Sequence, residues 1–451
     1  MSTESSSRAT FPPGLHNAYL FAVFNALSFQ VVLGSPMVLY AKTLNASATV
    51  LGIIAGMMPL LVIFQIPAAH YVARVGYKRF VFAGWGTRVM FIFAMALVPF
   101  TGGFLDAGTR LALILMLLFG FNLSRGISSS AWLPWIAGLV PEAVRGRYLA
   151  RDAACVSVAS VACALLAAFC LGTNPSPWQF AVLFGFSGLA GAASLNFLKR
   201  MPDVPVPEED RQSKTQVPWL EMSRHQPFRR LLWEAMAWAV VYGGIQAFTV
   251  AFLKSETALA EGQILFLSAV FYCGGLGSLW FLGSRLDSLG SKPVLSFSFL
   301  IWLVLLAGWV ALAGGYFKAT WSLLLGLHFF MGLFSALVQM SNTRLAMAVS
   351  PVMGRSHFFA IYSVTTSLAL GTAPVGWGML IDALGQRDYL WLNLHWTRFT
   401  LFFAAIAVVM FIALILSRRL EEPKAVNMEA LLREILIQSP QRVWFRLWPR
   451  G

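Results

Sequence analysis

The sequence predicts an all-α membrane protein: twelve transmembrane helices in two pseudo-symmetric six-helix bundles. Three observations predict it: the composition, a series of apolar runs, and an echo between the two halves of the chain. Of 451 residues, 58% are hydrophobic and only 12% are charged, and the mean hydropathy is +0.70. A soluble domain carries about 25% charged residues. Its core could not hide this much apolar surface.

Apolar runs fall at about 17–40, 48–69, 80–100, 110–133, 150–171 and 178–198, then at about 229–253, 262–282, 293–313, 320–341, 357–381 and 397–416. Some 20 residues at 1.5 Å rise cross a hydrocarbon core about 30 Å thick. Each run is expected to be a helix, because backbone polar groups in lipid must be satisfied within their own segment. The first sixteen residues, MSTESSSRATFPPGLH, are polar and lack a cleavable signal pattern, so the first helix is expected to stay.

Lys and Arg set the orientation. With the N-terminus inside, inner segments hold 25 of the 33 basic residues and outer segments hold six, with Arg88 and Arg125 inside helices. That bias places both termini in the cytoplasm of a multi-pass cell-membrane protein. It also accounts for the net charge of +14 as loop topology, with no nucleic-acid partner implied. Cys155, Cys163, Cys170 and Cys273 all fall within predicted helices, in no metal-binding spacing. Asn45-Ala-Ser47 matches a glycosylation acceptor, a triplet common by chance. No catalytic nucleophile, metal or cofactor motif rises above chance, so no enzyme is expected. The P-loop spacing GxxxxGK[ST] is absent, so ATP is not the expected driving force.

The chain divides at residues 199–228, a linker of prolines and mixed charges whose end, WLEMSRHQPF, suits a short surface helix. An N-terminal bundle over 17–198 and a C-terminal bundle over 229–416 flank it, with cytoplasmic tails at 1–16 and 417–451. The bundles echo each other. AHYVARVGYKR (69–79) recurs as GSRLDSLGSKP (283–293), and VPEAVRGRYLA (140–150) as SPVMGRSHFFA (350–360), each about 210 residues later. In each half the first break follows the second helix and the second break follows the fourth. Six helices repeated across a cytoplasmic linker form the architecture of a two-bundle transporter.

These loops resemble the major facilitator superfamily, over about residues 17–416. Its loop between helices 2 and 3 reads Gly, three residues, Asp, Arg/Lys, any residue, Gly, Arg, Arg/Lys. The second half keeps Gly283, Asp287, Gly290 and Lys292 but has Ser288 and Ser291 where bases are expected. The first half keeps Arg74, Gly76 and Lys78 but has Ala69 and Ala73 where Gly and Asp are expected. The resemblance implies that these loops, with Gly146, Arg147, Gly354 and Arg355 of the second pair, form gating contacts across the cytoplasmic seam. The alternative is that the bases only fix topology. The resemblance also implies a central cavity lined by helices 1, 4, 7 and 10, and a carrier that works as a monomer.

Polar residues on those four helices are the candidate substrate contacts: Asn25 on helix 1; Asn122, Arg125 and Ser129 on helix 4; Tyr242 and Gln246 on helix 7; His328 and Gln339 on helix 10. Helices 4 and 10 carry one-sided polar stripes, the latter also holding Ser335 and Asn342. Arg125 is the sharpest of these, since a central arginine costs roughly 2.5–3.5 kcal/mol on insertion scales. It would meet an anionic group of the substrate, or else a structural partner. Arg88 is comparably deep, and helix 3 is peripheral in the family, so a structural role is favoured.

For proton coupling the candidates are Glu234 and His328. Glu234 lies one turn after Arg230, where a local ion pair is the simpler expectation, and His328 suits a structural histidine equally well. Asp152 and Asp382 sit near helix ends and suit gating or loop contacts. Gly52 and Gly56 on helix 2, and Gly371, Pro374, Gly376 and Gly378 on helix 11, predict close backbone approach; in the family these two helices meet across the seam between bundles. The tail pairs an amphipathic stretch, NMEALLREILI (427–437), with arginines among Trp444, Phe445 and Trp448. That composition suits the membrane–water interface or a docking partner.

The expected function is secondary transport of a small organic solute by alternating access. Arg125 tilts it toward an anionic solute, and a proton is the open choice of coupling ion. The rival readings are a multidrug exporter of lipophilic compounds and, in another class, a non-transporting sensor or lipid-handling protein.

Overall fold

The computed structural model describes residues 14–140, 142–205, 225–278, 290–349, 355–420 and 422. The first half holds α1 (His16–Thr43), α2 (Ala48–Leu61 continued by Gln65–Val75), α3 (Tyr77–Gly103), α4 (Ala107–Leu139), α5 (Glu142–Leu171) and α6 (Pro177–Arg200). The second half holds α7 (Gln226–Glu256), α8 (Glu261–Ser278), α9 (Ser291–Ala313), α10 (Trp321–Val349), α11 (Arg355–Leu384) and α12 (Arg398–Arg418). Ahead of α12, β1 (Leu390–Trp391) pairs antiparallel with β2 (Leu394–His395). Among the described residues, eleven helices are long and apolar enough to cross a membrane. The described part of α8 falls outside that number because its first turn carries Glu261 and Gln263 and because 279–289 are not described.

Prolines place the irregularities. Gly34 is extended and Pro36 follows it, so α1 divides into His16–Leu33 and Ser35–Thr43. In α2, a 3-10 turn at Val62–Phe64 separates Ala48–Leu61 from Gln65–Val75. Pro67 has no N–H for the carbonyl of Ile63, and its ring would clash there. Large apolar side chains cover the outside: Phe169 is 93%, Met90 72% and Leu133 70% exposed. Such a surface belongs against hydrocarbon rather than water. The protein is a multi-pass membrane protein.

The chain forms two compact units. In the second, Val217–Ile245, Cys273–Ala369 and Leu384–Gly451, α9 packs on α10 and α12. The Ser296 and Ser417 hydroxyls join α9 to α12 at 2.9 Å. In the first, Met1–Gln216, Gln246–Tyr272 and Leu370–Ala383, α3 packs on α4 and α6 in the same manner. The repeat reaches the loops as well. Gly76 (φ 89°) precedes α3 and Gly290 (φ 84°) precedes α9, a left-handed geometry that favours glycine.

The first unit also takes in one end of α7, α8 and α11. There α2 lies against α11 with no side chain between them. A Cβ on Gly52 would stand 2.2 Å from the carbonyl oxygen of Pro374, and one on Gly56 2.1 Å from that of Gly371. Asp382, at the end of α11, seals the contact. Its carboxylate accepts the amides of Ala48 at 3.0 Å and Thr49 at 2.8 Å, and the Thr49 hydroxyl at 2.6 Å. The Ser47 hydroxyl takes the amide of Val50 at 3.3 Å and its carbonyl that of Leu51 at 3.1 Å. The first three amides of α2, those of Ala48, Thr49 and Val50, are thereby satisfied by side chains, in the positive field of a helix N-terminus. Nearby, α8 meets α5, the Gly262 amide donating to the Gly172 carbonyl at 2.7 Å.

Three substitutions test this contact. Gly56→Val should lower the melting temperature by a cost of at least about 1–3 kcal/mol, because it pushes into backbone. Gly376→Ala, whose added Cβ meets nothing within 4 Å, should leave it unchanged. Asp382→Ala should cost about 0.5–2 kcal/mol, the range for a lost helix cap, read in the same thermal assay.

Candidate functional site

The first unit builds one polar centre around arginine. Arg88 of α3 is 1% exposed and donates to the Asn25 Oδ1 of α1. The same oxygen accepts the Trp85 indole N–H at 3.2 Å. The Arg88 guanidinium lies 4.8 Å from the Trp85 ring centroid and 5.3 Å from that of Phe121, within cation–π range. Its Nε has no partner among the described residues. Asn25 is thus engaged by Arg88, which supports the structural reading of that arginine.

Arg125 sits half-buried at the middle of α4. The next residue, Gly126, brings α4 against α2: a Cβ there would lie 2.1 Å from the Leu61 carbonyl oxygen. Of the α4 stripe, Asn122 donates to the Leu118 carbonyl at 2.9 Å and Ser129 to that of Gly126 at 2.8 Å. Both turn their donors back on their own helix. The Arg125 guanidinium has no hydrogen-bond or ion-pair partner among the described residues, and its charge acts on the like charge of Arg88.

The second unit builds a centre around a carboxylate. Glu234 of α7 is fully buried, and its Oε1 accepts from the Asn342 Nδ2 of α10 at 3.4 Å. The expected ion pair with Arg230 does not form. Arg230 lies by the end of α12 and donates to the Arg419 carbonyl at 3.3 Å, a partner that helix spacing alone cannot anticipate. His328 is buried with Nδ1 on the Leu324 carbonyl at 2.9 Å and its ring edge-on to Trp309. It precedes Asn342 by fourteen residues on α10, roughly 21 Å along the axis, so the two coupling candidates lie apart. Tyr242 stacks on Trp238 at 5.4 Å. Gln246 and Gln339 are exposed, whereas Ser335 and Asn342 of the α10 stripe are buried.

Of the loop residues, Arg74 is exposed in the last turn of α2. The Lys78 amine donates to the Met201 carbonyl at 2.8 Å, tying the start of α3 to the end of α6. The second half ties the same place differently: the Glu422 carboxylate, beyond α12, accepts the amides of Ser291 at 2.9 Å and Lys292 at 2.7 Å. Gly283, Asp287 and Gly354 lie outside the described residues, as do the side chains of Arg147 and Arg355 and the tail stretch 427–437. Gly146 falls in the second turn of α5.

Sequence reasoning missed one connection within the first unit. Gln30 of α1 donates to the Ser160 hydroxyl of α5 at 2.8 Å and accepts from the Tyr272 hydroxyl of α8 at 2.8 Å. Ser35 and Ser268 meet beside it at 2.9 Å. The signal was a glutamine within an apolar run, facing a serine in another.

Comparison with known proteins places this geometry. The profile described as Major Facilitator Superfamily matches residues 18–259 and 243–448. No curated protein sequence matches. The D-xylose–proton symporter structure is 13% identical, covers 91% of this chain and 98% of its own, and superposes with a TM-score of 0.70. The inward-open xylose transporter XylE from E. coli gives 14% identity, 92% and 99% coverage, and a TM-score of 0.66. The nucleoside transporter NupG gives 13% identity, 90% and 97% coverage, and a TM-score of 0.63. At such identity the structures establish the shared fold, and the profile, matched over both halves, establishes that the chain belongs to the major facilitator superfamily.

Proposed function

We propose that this chain is a secondary transporter that carries a small organic anion by alternating access, with Arg125 meeting the anionic group. One observation carries the reading. Arg125 holds a charge halfway along a membrane-spanning helix, beside a second guanidinium and with no partner among the described residues. Holding such a charge is costly in the membrane, and an anionic ligand would offset it. Asn122, whose Oδ1 one turn away has no partner among the described residues, would accept from a donor group of the ligand.

The same reading orients the protein. The excess of Lys and Arg in alternate loops puts both termini in the cytoplasm of the cell membrane, and the α1–α2 end outside. The contacts of α2 with α11 and of α5 with α8 then close the outer side. The carrier acts as a monomer, with the solute gradient or a proton as its driving force.

Thermal stabilisation against organic anions, neutral sugars and nucleosides, and lipophilic cations tests the reading. A ligand at 100 times its dissociation constant adds about 2.7 kcal/mol. Anions should stabilise the parent and not Arg125→Gln. Stabilisation by lipophilic cations alone, unchanged in that variant, would replace the anion carrier with an exporter.

A further inference from the structure

The pairing of Glu234 with Asn342 is incomplete in a specific way. Both residues are buried, at 0% and 3% exposure. The Asn342 amide donates to Oε1, while Glu234 Oε2 and Asn342 Oδ1 have no partner among the described residues. As a carboxylate, Glu234 would leave two acceptors without a donor and a charge without a cation. A buried unpaired charge is among the most costly groups a protein can hold, and each unsatisfied polar atom adds to that cost.

Among the described residues, no neighbour supplies the missing charge. On α7, Arg230 is committed to the Arg419 carbonyl. From α10 the facing group is the neutral Asn342, and Arg344, two residues on, makes no bond to the carboxylate. From α11 it is the Tyr362 phenol. The hydrophobic cluster that Tyr362 joins on these three helices, Phe228, Leu232, Val349 and Ile361, is apolar.

One proton removes both faults. Bound to Oε2, it makes an O–H that donates to Asn342 Oδ1 while the Asn342 N–H donates to Oε1. An acid and a primary amide are complementary in this two-bond ring, and a carboxylate and an amide are not. We infer that Glu234 and Asn342 form a proton-binding site, loaded in this conformation as an acid–amide pair. When α7 and α10 move apart and water reaches the pair, the O–H bond breaks, the proton passes to water and the carboxylate stays behind, solvated. The place of this step in a transport cycle rests on the carrier reading above; the site itself does not.

The test uses the purified full chain and no substrate. Infrared spectra at neutral pH should show the carbonyl stretch of a protonated carboxylic acid, shifted in deuterium oxide, absent from Glu234→Gln and displaced in Asn342→Leu. The melting temperature gives a second readout. The parent's Glu234 can lose its proton as pH rises and the glutamine cannot, so across a rising pH series the parent should lose several degrees more than Glu234→Gln. Identical spectra and parallel melting curves would overturn the site. Should Glu234→Gln not fold, the deuterium shift and the Asn342→Leu displacement decide alone: both support the site, and neither overturns it. An intact acid band with a failed anion panel would remove the carrier reading and leave the proton site standing.

Discussion

Because Gly52 and Gly56 carry no side chain, the backbone of α2 can rest on the carbonyls of Pro374 and Gly371, and much of the first unit depends on that approach. Hydrocarbon drives helices together weakly, so close van der Waals contact and hydrogen bonds must do it. The α2–α11 contact supplies both, small residues along its length and the Asp382 carboxylate at its end. Its strength lies in few groups, as the proposed alternating access would require of a joint. A carboxylate on a helix N-terminus gives up little when water replaces it, and a glycine face leaves no interlocked side chains to disentangle.

Each half holds a buried ionisable side chain against an asparagine: Arg88 with Asn25, Glu234 with Asn342. The two are not equivalent in energy. Arg88 spreads its charge over an amide oxygen and two aromatic faces, which an arginine can do while remaining a cation. Glu234 has only an amide, and an amide satisfies a carboxyl group best when that group is neutral. Arg125 differs from both, because its neighbours turn their donors inward and leave its guanidinium open. A permanent charge left open and a carboxyl kept dry are different devices. The first suits holding an anion, the second holding and releasing a proton.

The spans and the repeat were legible in the sequence because membrane burial acts on whole segments. Twenty apolar residues need no knowledge of a partner. Pairings were less legible. The i, i+4 spacing of Arg230 and Glu234 says they can meet; it cannot say that the Arg419 carbonyl offers the arginine another partner. Asn25 was read as a cavity residue because polarity marks a side chain that needs a partner without saying whether a ligand or Arg88 provides it. Gln30 escaped notice for the same reason, its partners lying on α5 and α8. Asp382 was placed at a contact correctly, since a carboxylate at a helix end has few other uses, but the α2 amides it holds depend on the tertiary fold.

The distance across the α2–α11 joint tests alternating access most directly. Spin labels on Thr43→Cys and Ala383→Cys, in a background with the four native cysteines replaced, would report it in lipid by pulsed electron resonance. Both positions are exposed and belong to the first unit. A carrier should show two populations, the short one of this structure and a longer one whose share grows in Asp382→Ala. A single short distance, unchanged by that substitution and by every ligand that stabilises the protein, would contradict alternating access and favour a fixed membrane sensor.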